Sequence, residues 1–215
     1  MIIKIIKNIF LVSFLIIGTL LAEDKILTLP KVTVEYVTNT LFKTGILDIR
    51  TRTFHAKNLK RIDTVVENIP ISVVIDYEKQ VATYIWPKTF SYVSVKLNPK
   101  TQEKLKKLSK IVYLEKIDLE FIHGFETDVF KVKMKLADGT IEESTRWITK
   151  HGVTLKEIGI IEGKEGKLHF LSEFSNVKVF KQDRKIFEVP ENYKLAPTDQ
   201  LEDINELLKL MVKRT

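Results

Sequence analysis

Cysteine is absent from all 215 residues. That excludes disulfides, thiolate nucleophiles and lipid attachment through a cysteine. A chain of this length can hold together on an apolar core alone, and the absence suits an oxidising compartment in which stray thiols are hazards. No uncharged apolar run reaches the roughly 20 residues of a membrane-spanning helix. Catalytic signatures are missing as well. His55, His123, His151 and His169 are scattered without metal-ligand spacing. His123-Gly124-Phe125-Glu126 has the interval of a helical ligand pair, but Gly124 and the surrounding strand pattern indicate a turn. Ser175-Asn176-Val177-Lys178 matches a Ser-x-x-Lys spacing, yet it lies in or beside a strand, where residues three apart point to opposite faces. There is no Gly-x-Ser-x-Gly elbow. Gly159, Gly163, Gly166 and Lys167 lack the spacing of a phosphate loop. Acidic residues are dispersed, so no general acid and base can be paired. The chain reads as a non-enzyme with no cofactor and no metal.

What is present begins at the N-terminus. Lys4 and Lys7 precede a 13-residue uncharged, mostly apolar run from Ile9 to Leu21, and Ala22 gives way to Glu23 and Asp24. A basic start, a short apolar core and a small residue before charge form the pattern of a secretory signal peptide cleaved after Ala22; an uncleaved anchor is the alternative. Residues 1–22 are therefore read as a leader and residues 23–215 as one domain with one layered core. Export removes cytosolic nucleotide chemistry and nucleic acid as partners and points to the periplasm. The leader holds two of 35 basic residues and none of 28 acidic ones, which leaves a net +5 (33 basic against 28 acidic) spread along the mature chain. Such an excess suits a solvated surface or transient contact with anionic headgroups.

From Lys31 to about Lys96 the chain alternates. Val32, Val34 and Tyr36 oppose Thr33 and Glu35, so Lys31–Thr40 is predicted as the first strand. Gly45–Phe54, Leu59–Val66, Ile71–Tyr77, Val81–Trp86 and Phe90–Val95 follow, with breaks at Glu67-Asn68-Ile69-Pro70, Glu78-Lys79-Gln80 and Pro87. Asn98 and Pro99 then make an N-cap and first-turn proline, predicting a lysine-rich helix from Pro99 to Lys110. Strands resume through Tyr113–Ile122, a segment around Phe130–Leu136, Ile141–Thr149, Val153–Ile161, Lys167–Phe174 and Val177–Phe180. Asp138-Gly139 is a hairpin signal. Thr198 caps a last segment in which Leu201, Ile204, Leu208 and Met211 recur at helical spacing, so Asp199–Lys213 is predicted as a terminal amphipathic helix. About eleven strands joined by short connections favour antiparallel pairing. The fold class is mainly β (α+β).

Aromatics crowd two adjacent strands: Tyr84, Trp86, Phe90 and Tyr92, with Tyr77 just before them. In Val81–Trp86 both alternation classes are apolar, so the second face must be covered by a helix or line an apolar cavity. Plain core packing is one reading. The other is a hydrophobic ligand site lined by Ile75, Tyr77, Tyr84, Trp86, Phe90, Tyr92 and Trp147, since buried Tyr and Trp join apolar area to a polar tip.

Several landmarks carry a family resemblance: Tyr84 through Pro87 with Tyr92; Gly124 leading to Phe130; Arg146-Trp147-Ile148-Thr149 before Gly152-Val153 and Leu155-Lys156; and Phe187-x-Val189-Pro190-x-x-Tyr193. In order and spacing, over Val32 to Tyr193, they make the chain resemble the LolA/LolB-type superfamily and, more closely, a related family of small secreted proteins of unknown function. The resemblance implies a curved, incomplete β-barrel with an apolar concave face, in proteins that carry or sort lipoproteins and lipids across the periplasm. The implied partner is a lipid or lipidated protein, with membrane contact transient at most. A non-enzymatic envelope adaptor, gripping another protein through the same sheet or the terminal helix, is the alternative. Two departures stand out. Leu29-Pro30 runs straight towards a strand where the LolA carrier begins with a plugging helix, and Asp199–Lys213 has no evident counterpart there.

Overall fold

The computed structural model describes residues 29–45, 48–66, 69–96, 109–136, 139–163 and 166–196. They form a single sheet of twelve strands: β1 (Tyr36–Thr44), β2 (Asp48–Ala56), β3 (Leu59–Val66), β4 (Ile69–Asp76), β5 (Val81–Trp86), β6 (Ser91–Lys96), β7 (Ser109–Ile122), β8 (Phe125–Leu136), β9 (Ile141–Thr149), β10 (Thr154–Gly163), β11 (Gly166–Val179) and β12 (Lys194–Leu195). The order is β12-β6-β5-β4-β3-β2-β1-β11-β10-β9-β8-β7. Two antiparallel meanders, β1–β6 and β7–β11, are thus joined through the β1/β11 pair.

This topology forces curvature. β6 and β7 are consecutive in the chain but stand ten strand spacings apart in the sheet. Laid flat, that separation is ~48 Å at the usual strand spacing. The thirteen-residue step from Lys96 to Ser109 reaches at most ~47 Å when fully taut. A flat sheet would leave no slack at all, and the sheet is instead open and curved.

Several expected elements take a different form. Val32 and Val34 are not in a strand: β1 begins at Tyr36. The Thr33 amide donates to the His151 carbonyl at 2.9 Å, and Val32 and Val34 pack with Tyr36, Val153 and Leu155. Their alternation reports one buried side, not ladder pairing. A Cβ on Gly152 would stand 2.4 Å from the Lys31 carbonyl oxygen, and its φ is +84°, so glycine there admits this close crossing. The two expected strands over 167–180 are one strand, β11. Its apparent break is a bulge, with Asn176 at φ +51° and the β1 register shifting between Val37 and Asn39. β12 was not expected. It pairs with β6 in parallel, the Lys194 and Ala196 amides donating to the Phe90 and Tyr92 carbonyls, each at 2.8 Å.

The helix predicted for Pro99–Lys110 falls largely on residues 97–108, outside the described residues. Its last two positions, Ser109 and Lys110, are strand, paired with Leu136 and Lys135. The Asp199–Lys213 helix and the leader also lie outside the described residues. Among these, no α-helix occurs, only short 3-10 turns at Pro87–Thr89 and Arg184–Phe187, and no helix is long and apolar enough to cross a membrane.

The β3–β6 region is apolar on both faces. On one face Ile71, Val73, Ile75, Ala82, Tyr84 and Val93 form a cluster. On the other, Val74 and Ile85 lie under Phe187, with Ile186, Val189 and Tyr193 beside it. The cover on this second face is the irregular segment around Arg184–Phe187, where a helix or cavity was expected. Asp183 caps that turn by accepting from the Lys185 amide, and Arg61 donates to the Ile186 carbonyl at 2.6 Å, so the segment is tied to β3.

Candidate functional site

Register continues the Tyr84 face across the whole sheet. Tyr84 opposes Val73 and Val93, Val73 opposes Ile62, and Ile62 opposes Thr53. Through β1 and β11 the same face carries Phe42, Phe170 and Ser172, and through β10 and β9 it carries Glu157, Arg146 and Ser144. Its two ends differ in chemistry.

The β3–β6 end is apolar. Ile75, Ala82, Tyr84 and Val93 are each 2–3% exposed, and Ile62, Tyr77, Trp86 and Val95 pack against them. Among the described residues only Ala196 joins this patch from outside β3–β6 and the adjoining turn. Burial pushes the Tyr84 hydroxyl well above its usual pKa, so it stays neutral and serves as a polar tip in apolar surroundings.

The β8–β10 end holds a buried ionic cluster. Arg146 Nη2 donates to Glu142 Oε1 at 2.7 Å, and Arg146 Nε donates to Glu157 Oε1. Ser144 Oγ donates to Glu142 Oε1 at 3.3 Å and accepts from Arg146 Nε at 3.2 Å, and Met134 Sδ lies 3.8 Å from Nη2. All three charged side chains are under 9% exposed. Two carboxylates share one guanidinium here, so one is in excess. Burial, with the Glu157 charge behind it, raises Glu142 to about 7 despite Arg146, so the cluster approaches neutrality by holding a proton. Between the two ends, Phe42 stacks on Phe170 at 5.5 Å. Phe170 rests on Gly159, where a Cβ would come within 2.8 Å of the ring.

Where the apolar end meets β1 and β2 lies a third group. Lys60 is 4% exposed and opposes His55 on β2 and Ile75 on β4. The His55 ring stacks on Tyr36 at 5.0 Å, and its Nδ1 donates to the Val34 carbonyl at 3.2 Å. Burial, and then the Lys60 charge, lower the His55 pKa, while burial alone brings Lys60 down to about 8. Among the described residues no side chain pairs with the Lys60 ammonium, and the buried Thr38 Oγ1 and Tyr77 Oη have no hydrogen-bond partner.

Of the seven residues predicted to line a site, the fold brings together Ile75, Tyr77, Tyr84 and Trp86 on this face. Tyr92 stands on the opposite face with Ile85 and Phe187. Phe90 is 54% exposed in a left-handed turn and meets Tyr193 edge to face. Trp147 lies on β9, remote from the patch, its Nε1 donating to Glu120 at 2.8 Å under Lys156. Sequence reasoning missed Lys60, Thr38 and the Arg146 cluster. The signal was phase: Lys60 alternates in step with Ile62, and Glu142, Ser144 and Arg146 occupy the inward positions of β9. Among the described residues no group of three His, Asp or Glu side chains could hold a metal ion.

No protein-family model and no curated protein sequence matches the chain. Among solved structures, an uncharacterised conserved protein from Thermus thermophilus has a TM-score of 0.52 at 7% identity, over 88% of this chain and 98% of its own. That likeness is one of fold. MucB, in the Pseudomonas aeruginosa MucA/MucB complex, gives 0.47 at 10% identity over 86% of this chain and 62% of its own. A domain from Vibrio parahaemolyticus described as outer membrane lipoprotein-sorting gives 0.34 at 8% identity over 82% and 95%.

Proposed function

We propose that this protein is an exported, non-enzymatic carrier in the cell envelope that holds the apolar part of a lipid or lipidated protein against the Tyr84 face. The supporting observation is the patch of Ile71, Val73, Ile75, Ala82, Tyr84 and Val93 on one side of a curved sheet whose other side is already packed under Phe187. Affinity would come from apolar burial at ~0.8 kcal/mol per methylene. Ile75, Ala82, Tyr84 and Val93 are each only 2–3% exposed, so this face has to open for an acyl chain to reach them. Native mass spectrometry after gentle purification, followed by titration with a fluorescent fatty acid, tests the reading on the mature chain and on a form lacking residues 199–215. Retained lipid or saturable probe binding supports it. Absence of both in both forms overturns it.

A second reading, an envelope adaptor, has its own observation. Among the described residues β7 forms the outer edge of the sheet, and Val112, Tyr113, Ile117, Leu119 and Phe121 on it are 42–70% exposed. Unpaired backbone beside exposed apolar side chains is a surface to which another strand can add.

A further inference from the structure

The charged corner of the Tyr84 face narrows the ligand class. Lys60, in phase with an apolar patch and 4% exposed, gives up most of the hydration of its ammonium. Lys60 has no carboxylate partner among the described residues. Glu35, whose field reaches His55, is committed to the Arg184 guanidinium at 2.8 Å and the Gln182 amide at 2.7 Å. His55 cannot act as counter-ion: it is itself basic, with Nδ1 held by the Val34 carbonyl.

The surroundings offer hydrogen bonds instead of negative charge. The Tyr77 amide donates to the Asn58 carbonyl at 2.9 Å, which extends the β3/β4 pairing by one step and sets Tyr77 diagonally across from Lys60 on the same face. Tyr77 Oη is buried without a partner. So is Thr38 Oγ1, two residues from Tyr36 along β1 and two strands from Lys60. Tyr36 stacks on His55, directly across from Lys60. Beyond Ile75, the same row continues through Ala82 to Val95 into the apolar patch. A cation and an unused hydroxyl at one end, with apolar side chains running away from them, match a molecule having an anionic head and an apolar tail.

Resting on the carrier reading above, we propose that the ligand is an acidic amphiphile, its carboxylate or phosphate head held by Lys60 with Tyr77 as a hydrogen-bonding group, and its tail lying over Ile75, Ala82 and Tyr84. The head supplies the negative charge that the Lys60 corner lacks, which favours acidic over neutral lipids of equal tail length.

The test compares oleic acid, oleyl alcohol and inorganic phosphate on the delipidated mature chain, on Lys60→Met and on Tyr77→Phe, each first checked for native circular dichroism. The proposal expects the wild type to prefer oleate over the alcohol at least tenfold. Lys60→Met should lose that preference while keeping affinity for the alcohol. Tyr77→Phe should weaken oleate severalfold and leave the alcohol unchanged, and phosphate alone should not saturate the site. Equal binding of oleate and alcohol by the wild type, or an undiminished preference in Lys60→Met, overturns the head-group assignment and leaves the carrier reading standing. Tight, Lys60-dependent phosphate binding without any lipid binding also overturns it, in favour of a free anion. If neither oleate nor alcohol binds, the carrier reading itself fails. Should Lys60→Met not fold, Lys60→Gln and Tyr77→Phe carry the same comparison.

Discussion

Replacing Lys60 with methionine, which keeps the length and removes the charge, should stabilise the ligand-free protein. Burial brings the Lys60 pKa from 10.5 to about 8, and each unit corresponds to ~1.4 kcal/mol between the two protonation states. The penalty for holding the ammonium at neutral pH is therefore of the order of 3 kcal/mol, a large share of the ~5–15 kcal/mol that stabilises a typical domain. The sign follows from linkage. Because the folded pKa lies below the unfolded one, the unfolded chain binds more protons between pH 8 and 10.5, and wild-type stability rises with pH across that window. Urea unfolding of delipidated protein at about pH 7 and about pH 9.5 reads both effects. Lys60→Met should gain about 2–3 kcal/mol at the lower pH. Its advantage should shrink at the higher pH as the wild-type lysine loses its proton. A variant less stable than wild type at pH 7, with no rise in wild-type stability above pH 8, would mean that the native ammonium is already paired and carries no burial penalty.

Three other substitutions probe the rest of the sheet. Glu142 is raised from 4.5 to about 7, so the folded state keeps a proton that the unfolded chain has lost, and stability should fall as pH rises through that window; Glu142→Gln should flatten this slope in a melting-temperature series. Phe187→Ala empties the contact over Val74 and Ile85 and should cost about 3–5 kcal/mol in urea, while fatty-acid affinity of the folded fraction is unchanged because the contact is on the other face. Gly159→Ala puts a methyl group 2.6 Å from the Glu143 carbonyl oxygen and 2.8 Å from the Phe170 ring and should cost about 1–3 kcal/mol.

The strand pattern was legible where one face is buried and the connection is short. Leu59–Val66, Val81–Trp86 and Ile141–Thr149 have the expected bounds, because alternation and adjacent turns both act locally. Alternation misled at Val32 and Val34, since a chain lying on a packed surface buries every second side chain without pairing its backbone. The Asn176 bulge resembled a loop because one left-handed residue interrupts the period in either case. β12 left no trace: a two-residue strand carries no periodicity, and its partners at Phe90 and Tyr92 are about a hundred residues away. Clustering of aromatics pointed to the apolar β3–β6 patch but could not assign faces, which is how Tyr92 was grouped with Tyr84. Lys60 and the Arg146 cluster were hidden for a different reason. A charge in an inward phase looks like an imperfect strand until the register shows what surrounds it.

The most direct measurement of the carrier claim is photo-crosslinking of residues 23–215 with a diazirine-bearing fatty acid, mapped by peptide mass spectrometry. Adducts are expected on the inward positions of β4 and β5, at Val73, Ile75, Tyr84 or Trp86, competed away by unlabelled oleate. Adducts confined to the β7 edge or to the Phe187 side, or labelling that oleate does not compete, would contradict it.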